Sequence, residues 1–596
     1  MPLAEPTLPA NSSLFDAITD EQILRIGVPK EMIPKVRTMA GLDDLDALES
    51  SLPSDAYENL FYLLDDGDIE SIIKDLEDGF SKSSDMDEQL FSHNNRRHFI
   101  EITDDAELEK MIEGNMEKWQ VFLHPSQRKL IEGHYNGSLK VSGSAGTGKT
   151  VAAIHRLVKL AGNPDSLILF TTYTKALRDN LDQIVRKLEV PANRYILNNI
   201  DRVLSDVVKK NNVLADGFQV LDYMGDDKSK ALWKEVLDID VSEFDENFLY
   251  NEYIDVIVYN NIQDVDSYLK QSRVGRSKAL SRKQRMDVWD LVEKYIALKN
   301  ERKRVDRLQL FNMAANYLNE NEIRPYTHVI TDEFQDFSNP ELRFIRSLVA
   351  EGPNDLFLVG DPYQKIYNGR KLNFAAAGIN IRGRSRRLKV NYRTTEEIKR
   401  MAVAVVKGVK YDDFEDGVES IKGYVSLIHG AKPSYQMATD KTKEAEMILE
   451  YIDDCMNNGI LPEEICVTAS MSKTMRDLQD MMHKKKRAFK VISGGSSIGD
   501  GLGVSFCTFH SIKGLEFKVV IAMGVNERTA PSTPTGDYPF VTMDKVEQRE
   551  YLTSIRSSLY VAMTRAQQRV LITGVGNKSV LLSSDGDFDE GRQRML

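Results

Sequence analysis

Few stretches limit a fold as tightly as VSGSAGTGKTVAAIHRL, Val141 to Leu157. Within it, Gly143, Ser144, Ala145, Gly146, Thr147, Gly148, Lys149 and Thr150 fit the spacing GxxxxGK[ST]. The loop stands between a strand pattern, LKVSG, and a helix pattern, VAAIHRLVKL. Such a loop aims backbone N–H groups and a helix N-terminus at phosphate oxygens. It therefore demands a buried strand that hands over directly to a helix, which is the unit of a parallel α/β layer. Lys149 is expected to neutralise the outer phosphates and the Thr150 hydroxyl to ligate Mg²⁺.

The rest of the chain extends that layer. DSLILFTTYT, THVITDEFQD, DLFLVGD and FKVVIAMGV are short apolar runs that each end in a polar or glycine-bearing turn. Strands of this form alternating with helical patterns predict parallel sheets with ligands at the carboxyl ends of the strands. THVITDEFQD ends in Asp332 and Glu333 at that same edge. Asp332 is expected to hold the metal and Glu333 to polarise an attacking water. Between the second and third strands lies a helical, charge-rich insertion, residues 203–322. Within it Lys270 to Arg285 carries seven basic residues and no acidic one. That run reads either as a solvated helix face or as a surface for nucleic-acid phosphates.

A chain of 596 residues exceeds one hydrophobic core, so several domains are expected. The net charge of −13 argues against a polyanionic partner until its placement is considered. Residues 1–118 hold 28 acidic and 10 basic side chains, a net −18, which leaves +5 for the remainder. Three cysteines, Cys455, Cys466 and Cys507, have neither metal-ligand nor disulfide spacing and read as buried thiols. No leader pattern and no run of about 20 apolar residues occurs, so the expectation is a cytoplasmic protein without a membrane partner.

The ordered set HPSQRKL, GSAGTGKT, TTYTKAL, TDEFQDF, VGDPYQKIY, VNYRTTEEI, TFHSIKGLEF and YVAMTRA resembles the successive motifs of superfamily 1 helicases of the UvrD/Rep type. The resemblance runs from about Phe122 to Ile572 and implies two RecA-like domains that hold ATP and Mg²⁺ between them. It implies that Gln127 reads the adenine edge, Tyr392 stacks on the base and Glu516 contacts the sugar. By the same resemblance Gln364 senses the γ-phosphate or attacking water, and Arg393 and Arg565 are arginine fingers from the second domain. Tyr173, Lys175, Thr508 and His510 resemble positions that touch single-stranded DNA.

The family pattern is not followed throughout. Gly369 stands where relatives carry a base-stacking aromatic, with Phe374 or Tyr367 as substitutes, and ILNNIDRVL lacks a clear strand-binding motif. The interval from Arg393 to Thr508 leaves little chain for the family's 2B domain. The expected division is 1–118, an acidic, mostly helical region suited to a protein partner; 119–202 with 323–385, a first motor domain (1A); 203–322, a helical insertion (1B); and 386–596, a second motor domain (2A). The expected activity is a monomeric ATP-dependent single-stranded DNA translocase or helicase of 3′ to 5′ polarity. The rival is an ATP-gated DNA-binding subunit that recruits or regulates a partner without processive unwinding.

Overall fold

The computed structural model describes residues 18–39, separate positions between 15 and 73, and residues 125–582 except 173–177, 179–180, 183, 187, 189, 222–226, 241, 274–278, 367–371, 392, 408, 410, 412–423, 427, 494–495, 500–501 and 531–544. The chain divides into Met1–Trp119 and Gln120–Leu596. In the first unit a short helix, Asp20–Arg25, starts at a capping box in which Thr19 and Gln22 satisfy each other's backbone N–H groups. Phe15, Ile23, Ile26, Val36 and Leu60 form its core.

Among its described residues the second unit contains two large sheets, beside two of two strands each. The first is built from β1 (Leu139–Gly143), β2 (Ile168–Thr172), β3 (Tyr195–Asn199), β4 (His328–Thr331), β5 (Leu356–Gly360) and β6 (Ser385–Leu388), in the order β3-β2-β4-β5-β1-β6. All of its pairings are parallel. Strands β1, β2 and β5 are buried at every residue. Burial along their whole length follows from a sheet covered on both faces. Helix α1 (Pro125–Glu132) packs on α2 (Lys149–Ala161), which leaves β1 through the phosphate loop.

The second sheet comprises β7 (Ser434–Ala438), β8 (Ile465–Ala469), β9 (Phe489–Ser493), β10 (Ser496–Gly499), β11 (Val504–Thr508), β12 (Phe517–Ala522) and β13 (Ala566–Val575), in the order β7-β13-β12-β8-β11-β9-β10. Among these described strands only the β9–β10 pair is antiparallel. Among the described residues between Arg393 and Thr508, helices α4 (Glu396–Val406), α5 (Lys441–Asn457) and α6 (Arg476–Lys484) pack on this layer, and β7 to β10 join the sheet. Cys455, Cys466 and Cys507 are buried, as their reading requires, but the Cys466 and Cys507 sulfurs touch at 3.4 Å on neighbouring strands, a proximity that sequence spacing does not show.

Between β3 and β4 the chain is mainly helical, around stacked Trp233 and Tyr295 with Tyr253 edge-on. Buried Lys299, on α3 (Arg282–Glu301), donates to the Tyr253 hydroxyl at 2.7 Å, to Gln309 at 2.8 Å and to Asp306. The basic run beside it is partly structural. Arg273 is buried in a two-pronged bond to Glu252 at 2.6 and 2.8 Å, and Arg285 donates to the carbonyls of Tyr268, Leu269 and Gln271. Those two arginines fold the insertion, which removes them from any surface reading of the run.

Candidate nucleotide-binding site

The phosphate loop turns where only glycine fits cheaply: Gly146 and Gly148 lie at φ +80° and +77°. Gly146 also faces Asn391, and a Cβ there would collide with the Asn391 carboxamide. Gly148 is the N-cap of α2 and offers no capping side chain, so the first N–H groups of the helix have no side-chain acceptor at that position. Buried Ser144 Oγ has no hydrogen-bond partner among the described residues. Lys149 is 8% exposed, donates to the Ser144 carbonyl at 2.9 Å, and has Asp361 at 3.9 Å. Burial pulls its pKa below the ordinary lysine value, and the Asp361 carboxylate opposes this. A buried cation, an orphaned hydroxyl and a helix N-terminus on one loop fit a phosphate chain.

Three carboxylates face that lysine. Asp332 accepts from the Thr150 hydroxyl at 2.7 Å, which puts the two expected Mg²⁺ ligands side by side. Burial, with the Glu333 carboxylate next to it, pushes Asp332 up to about 7. A cation bound there would remove that penalty, and the donor set of hydroxyl and carboxylate oxygens is the hard kind that Mg²⁺ takes. Glu333 occupies left-handed backbone, φ +57° and ψ +45°, a strained conformation for a non-glycine residue. Burial raises its pKa, but Lys513, Lys149 and Arg565 together outweigh that effect and leave it below the usual value, hence ionised. The Gln335 carboxamide donates to Glu333 and accepts from Asp361 N–H at 2.9 Å, bracing the two acids against each other.

The second sheet's layer supplies the other wall. Arg565, which follows α7 (Lys545–Met563), is 6% exposed and donates to the side-chain oxygen of Gln364. Gln364 in turn donates to Asp361 at 2.7 Å. Arg393 pairs with Glu516 at 2.8 Å. Lys513 crosses to Asp336 at 2.6 Å and to the Gln364 carbonyl at 2.8 Å. Gln127 is buried, and its amide donates to the Thr147 carbonyl at 2.9 Å, so it braces the loop.

The structure brings Lys149, Thr150, Asp332, Glu333, Gln364 and Arg565 together. Tyr173, Lys175 and Tyr392 lie outside the described residues, as do Gly369 and Tyr367. Thr508 uses its hydroxyl to cap the following turn through Ser511, at 3.2 Å to the N–H, and His510 is exposed two residues on. Phe374 does not serve as a substitute for a base-stacking aromatic: it is 1% exposed and packs edge-on against Phe334 inside the core. Sequence reasoning does not single out Lys513, Asn391 or Tyr560. Lys513 and Tyr560 sit inside the motifs SIKGLEF and YVAMTRA, and that position is the one signal available for them.

Comparison with known proteins decides the family. The UvrD/REP helicase N-terminal domain matches residues 123–376, and the UvrD-like helicase C-terminal domain matches 496–576. The chain belongs to the UvrD/REP helicases. Its two parallel-sheet domains are the RecA-like pair of that family. An ATP-dependent DNA helicase UvrD1 from Mycobacterium leprae is 24% identical over 67% of this chain and 52% of its own. DNA helicase IV of Escherichia coli is 22% identical over 82% of this chain and 72% of its own. The chain spans about half the length of the first curated relatives it matches. No helix among the described residues is long and apolar enough to cross a membrane.

Proposed function

We propose that this UvrD/REP member hydrolyses ATP between its two RecA-like domains and uses the cycle to move 3′ to 5′ on single-stranded DNA. The domains are assigned as 119–202 with 323–388 (1A), 203–322 (1B) and 389–596 (2A), the expected boundary at 385/386 moving past β6 because that strand pairs with β1, with residues 1–118 as an acidic region for a protein partner. The observation that carries the reading is the Arg565–Gln364 bond, made across the cleft beside Lys149 and Glu333. An arginine that reaches a phosphate site only when two domains meet ties hydrolysis to closure.

The residues divide the work. Lys149 and the N-terminus of α2 bind the phosphates, and Glu333, held ionised, accepts a proton from the attacking water, which Gln364 orients. Mg²⁺ held by Thr150 and Asp332 supplies charge neutralisation on the phosphates. Arg565 and Arg393 stabilise charge as it leaves the outer phosphate, a role typically worth about 10³- to 10⁵-fold in rate. Closure then moves Thr508 and His510 relative to the first domain, which displaces a strand lying on both.

The test is hydrolysis measured without nucleic acid and with single-stranded DNA, RNA and duplex, followed by displacement of 3′-tailed and 5′-tailed duplexes. Stimulation by single-stranded DNA with displacement of 3′-tailed duplexes is expected. Stimulation without displacement of either favours the rival, an ATP-gated binding subunit acting with a partner; no stimulation by any nucleic acid overturns both.

A further inference from the structure

One aromatic side chain crosses the cleft without touching the phosphate site. Tyr363 belongs to the first domain, in the turn Pro362–Gln364 that follows β5. Its ring is 3% exposed and is packed in the hydrophobic core of the second domain, with Ile398, Ala402, Phe509 and Ile512 in the same cluster. Tyr411 lies 4.7 Å away, centroid to centroid, tilted by 60°, and Tyr560 lies 6.1 Å away. Both neighbours are themselves fixed. The Tyr411 hydroxyl pairs with Ser557 at 3.2 Å, and Tyr560, on α7, is 1% exposed.

The turn is short and stiff. Pro362 fixes one backbone angle, and the Asp361 carboxylate accepts from both the Tyr363 N–H at 3.1 Å and the Gln364 side chain. A displacement of the Tyr363 ring is therefore passed directly to the Gln364 carboxamide, the group that Arg565 meets. We propose that Tyr363 is a peg from the first motor domain, seated between Tyr411 and Tyr560 of the second, and that it positions Gln364 when the domains close. This rests on the motor reading above. Tyr363 is a positioning residue and touches neither nucleotide nor strand.

The test uses the full chain with Glu351→Cys and Asp477→Cys, both exposed positions on the two domains, labelled for energy transfer; the three native cysteines are buried. Closure is driven by a non-hydrolysable ATP analogue with Mg²⁺, and turnover is measured with ATP and a single-stranded oligonucleotide. Tyr363→Ala is expected to raise the analogue concentration for half-closure about tenfold and to lower DNA-stimulated kcat about tenfold, with KM for ATP within threefold. Tyr363→Phe, which keeps the ring, stays within twofold of wild type in both. In an Arg565→Ala background Tyr363→Ala costs less than a further twofold in kcat, because both act through Gln364. If Tyr363→Ala melts more than 10 °C lower, Tyr363→Leu takes its place, with the same changes expected. Unchanged closure and kcat, or a full tenfold loss added on Arg565→Ala, overturns the proposal. If wild type closes on the analogue but DNA does not stimulate it, the motor reading fails, and the closure measurement alone still decides for or against the peg.

Discussion

Among the described residues, Lys149 and Lys299 are each buried near acids, and the two clusters are finished differently. In the helical insertion, Lys299 has three acceptors in Asp306, Tyr253 and Gln309, and it lies over the rings of Tyr253 and Tyr295 at 4.5 and 4.8 Å. Arg273 and Tyr268 likewise satisfy Glu252. At the nucleotide site, Lys149 holds a single carbonyl with its nearest acid at 3.9 Å, Asp332 is pushed up to about 7, Glu333 is strained, and Ser144 Oγ has no partner among the described residues. The buried charges of the insertion are all matched by partners, although Trp233 Nε1 in the same core has none among the described residues, and matched charges fix a fold. A buried cluster with capacity left over stores cost that a ligand can relieve, and that marks a working site.

The largest expected effect breaks the two apart by activity. Glu333→Gln should lower turnover by roughly 10²- to 10⁴-fold while nucleotide binding persists, as expected for loss of a general base. Lys149→Ala should lose binding as well as turnover. Nucleotide titration beside steady-state hydrolysis separates the two, and a Glu333→Gln protein that turns over normally would remove Glu333 from the chemistry.

Lys299→Met should do the reverse. Leaving Asp306 buried without its cation is expected to cost about 3–5 kcal/mol of stability, while the folded fraction keeps its kcat. Denaturant unfolding followed by hydrolysis at low temperature reads both. A stable variant with impaired turnover would erase the distinction between the clusters.

This contrast is only half legible in the sequence. The phosphate loop and the Asp332–Glu333 pair are local patterns, set by how one strand enters one turn, so the order of residues shows them directly. Lys513 meets Asp336 from 177 residues away and Glu252 meets Arg273 from 21, and no spacing rule indicates such partners. The run Lys270–Arg285 shows the consequence: its composition suggests a surface, yet Arg273 and Arg285 are engaged by a carboxylate and by carbonyls inside the fold. Phe374 is open to a base-stacking role in the sequence only because burial is a property of packing. Arg393 and Arg565 are picked out through family resemblance, not through any periodicity.

That run gives a smaller effect. Replacing Lys270 and Lys283 by Gln should flatten the dependence of log affinity for single-stranded DNA on log salt by roughly 0.7 for each phosphate no longer neutralised. Arg273→Gln should unfold the insertion instead. An unaltered slope for the lysine pair would make the remaining run a solvated face.

The smallest effect is a gain. Because Asp332 is held buried beside the Glu333 carboxylate, Asp332→Asn should raise ligand-free stability by about 0.5–2 kcal/mol, the opposite sign to Lys299→Met. A loss of stability would mean that the site is as saturated as the insertion.

The central claim is that Arg565 completes the site from the second domain when DNA is bound. Steady-state ATP hydrolysis by wild type and Arg565→Ala across a titration of single-stranded DNA tests it most directly. The account predicts saturable stimulation of wild type and a loss of about 10³-fold or more in the stimulated rate of Arg565→Ala, with ATP affinity little changed. Equal stimulated rates for the two proteins, or a wild-type rate indifferent to DNA, would contradict it.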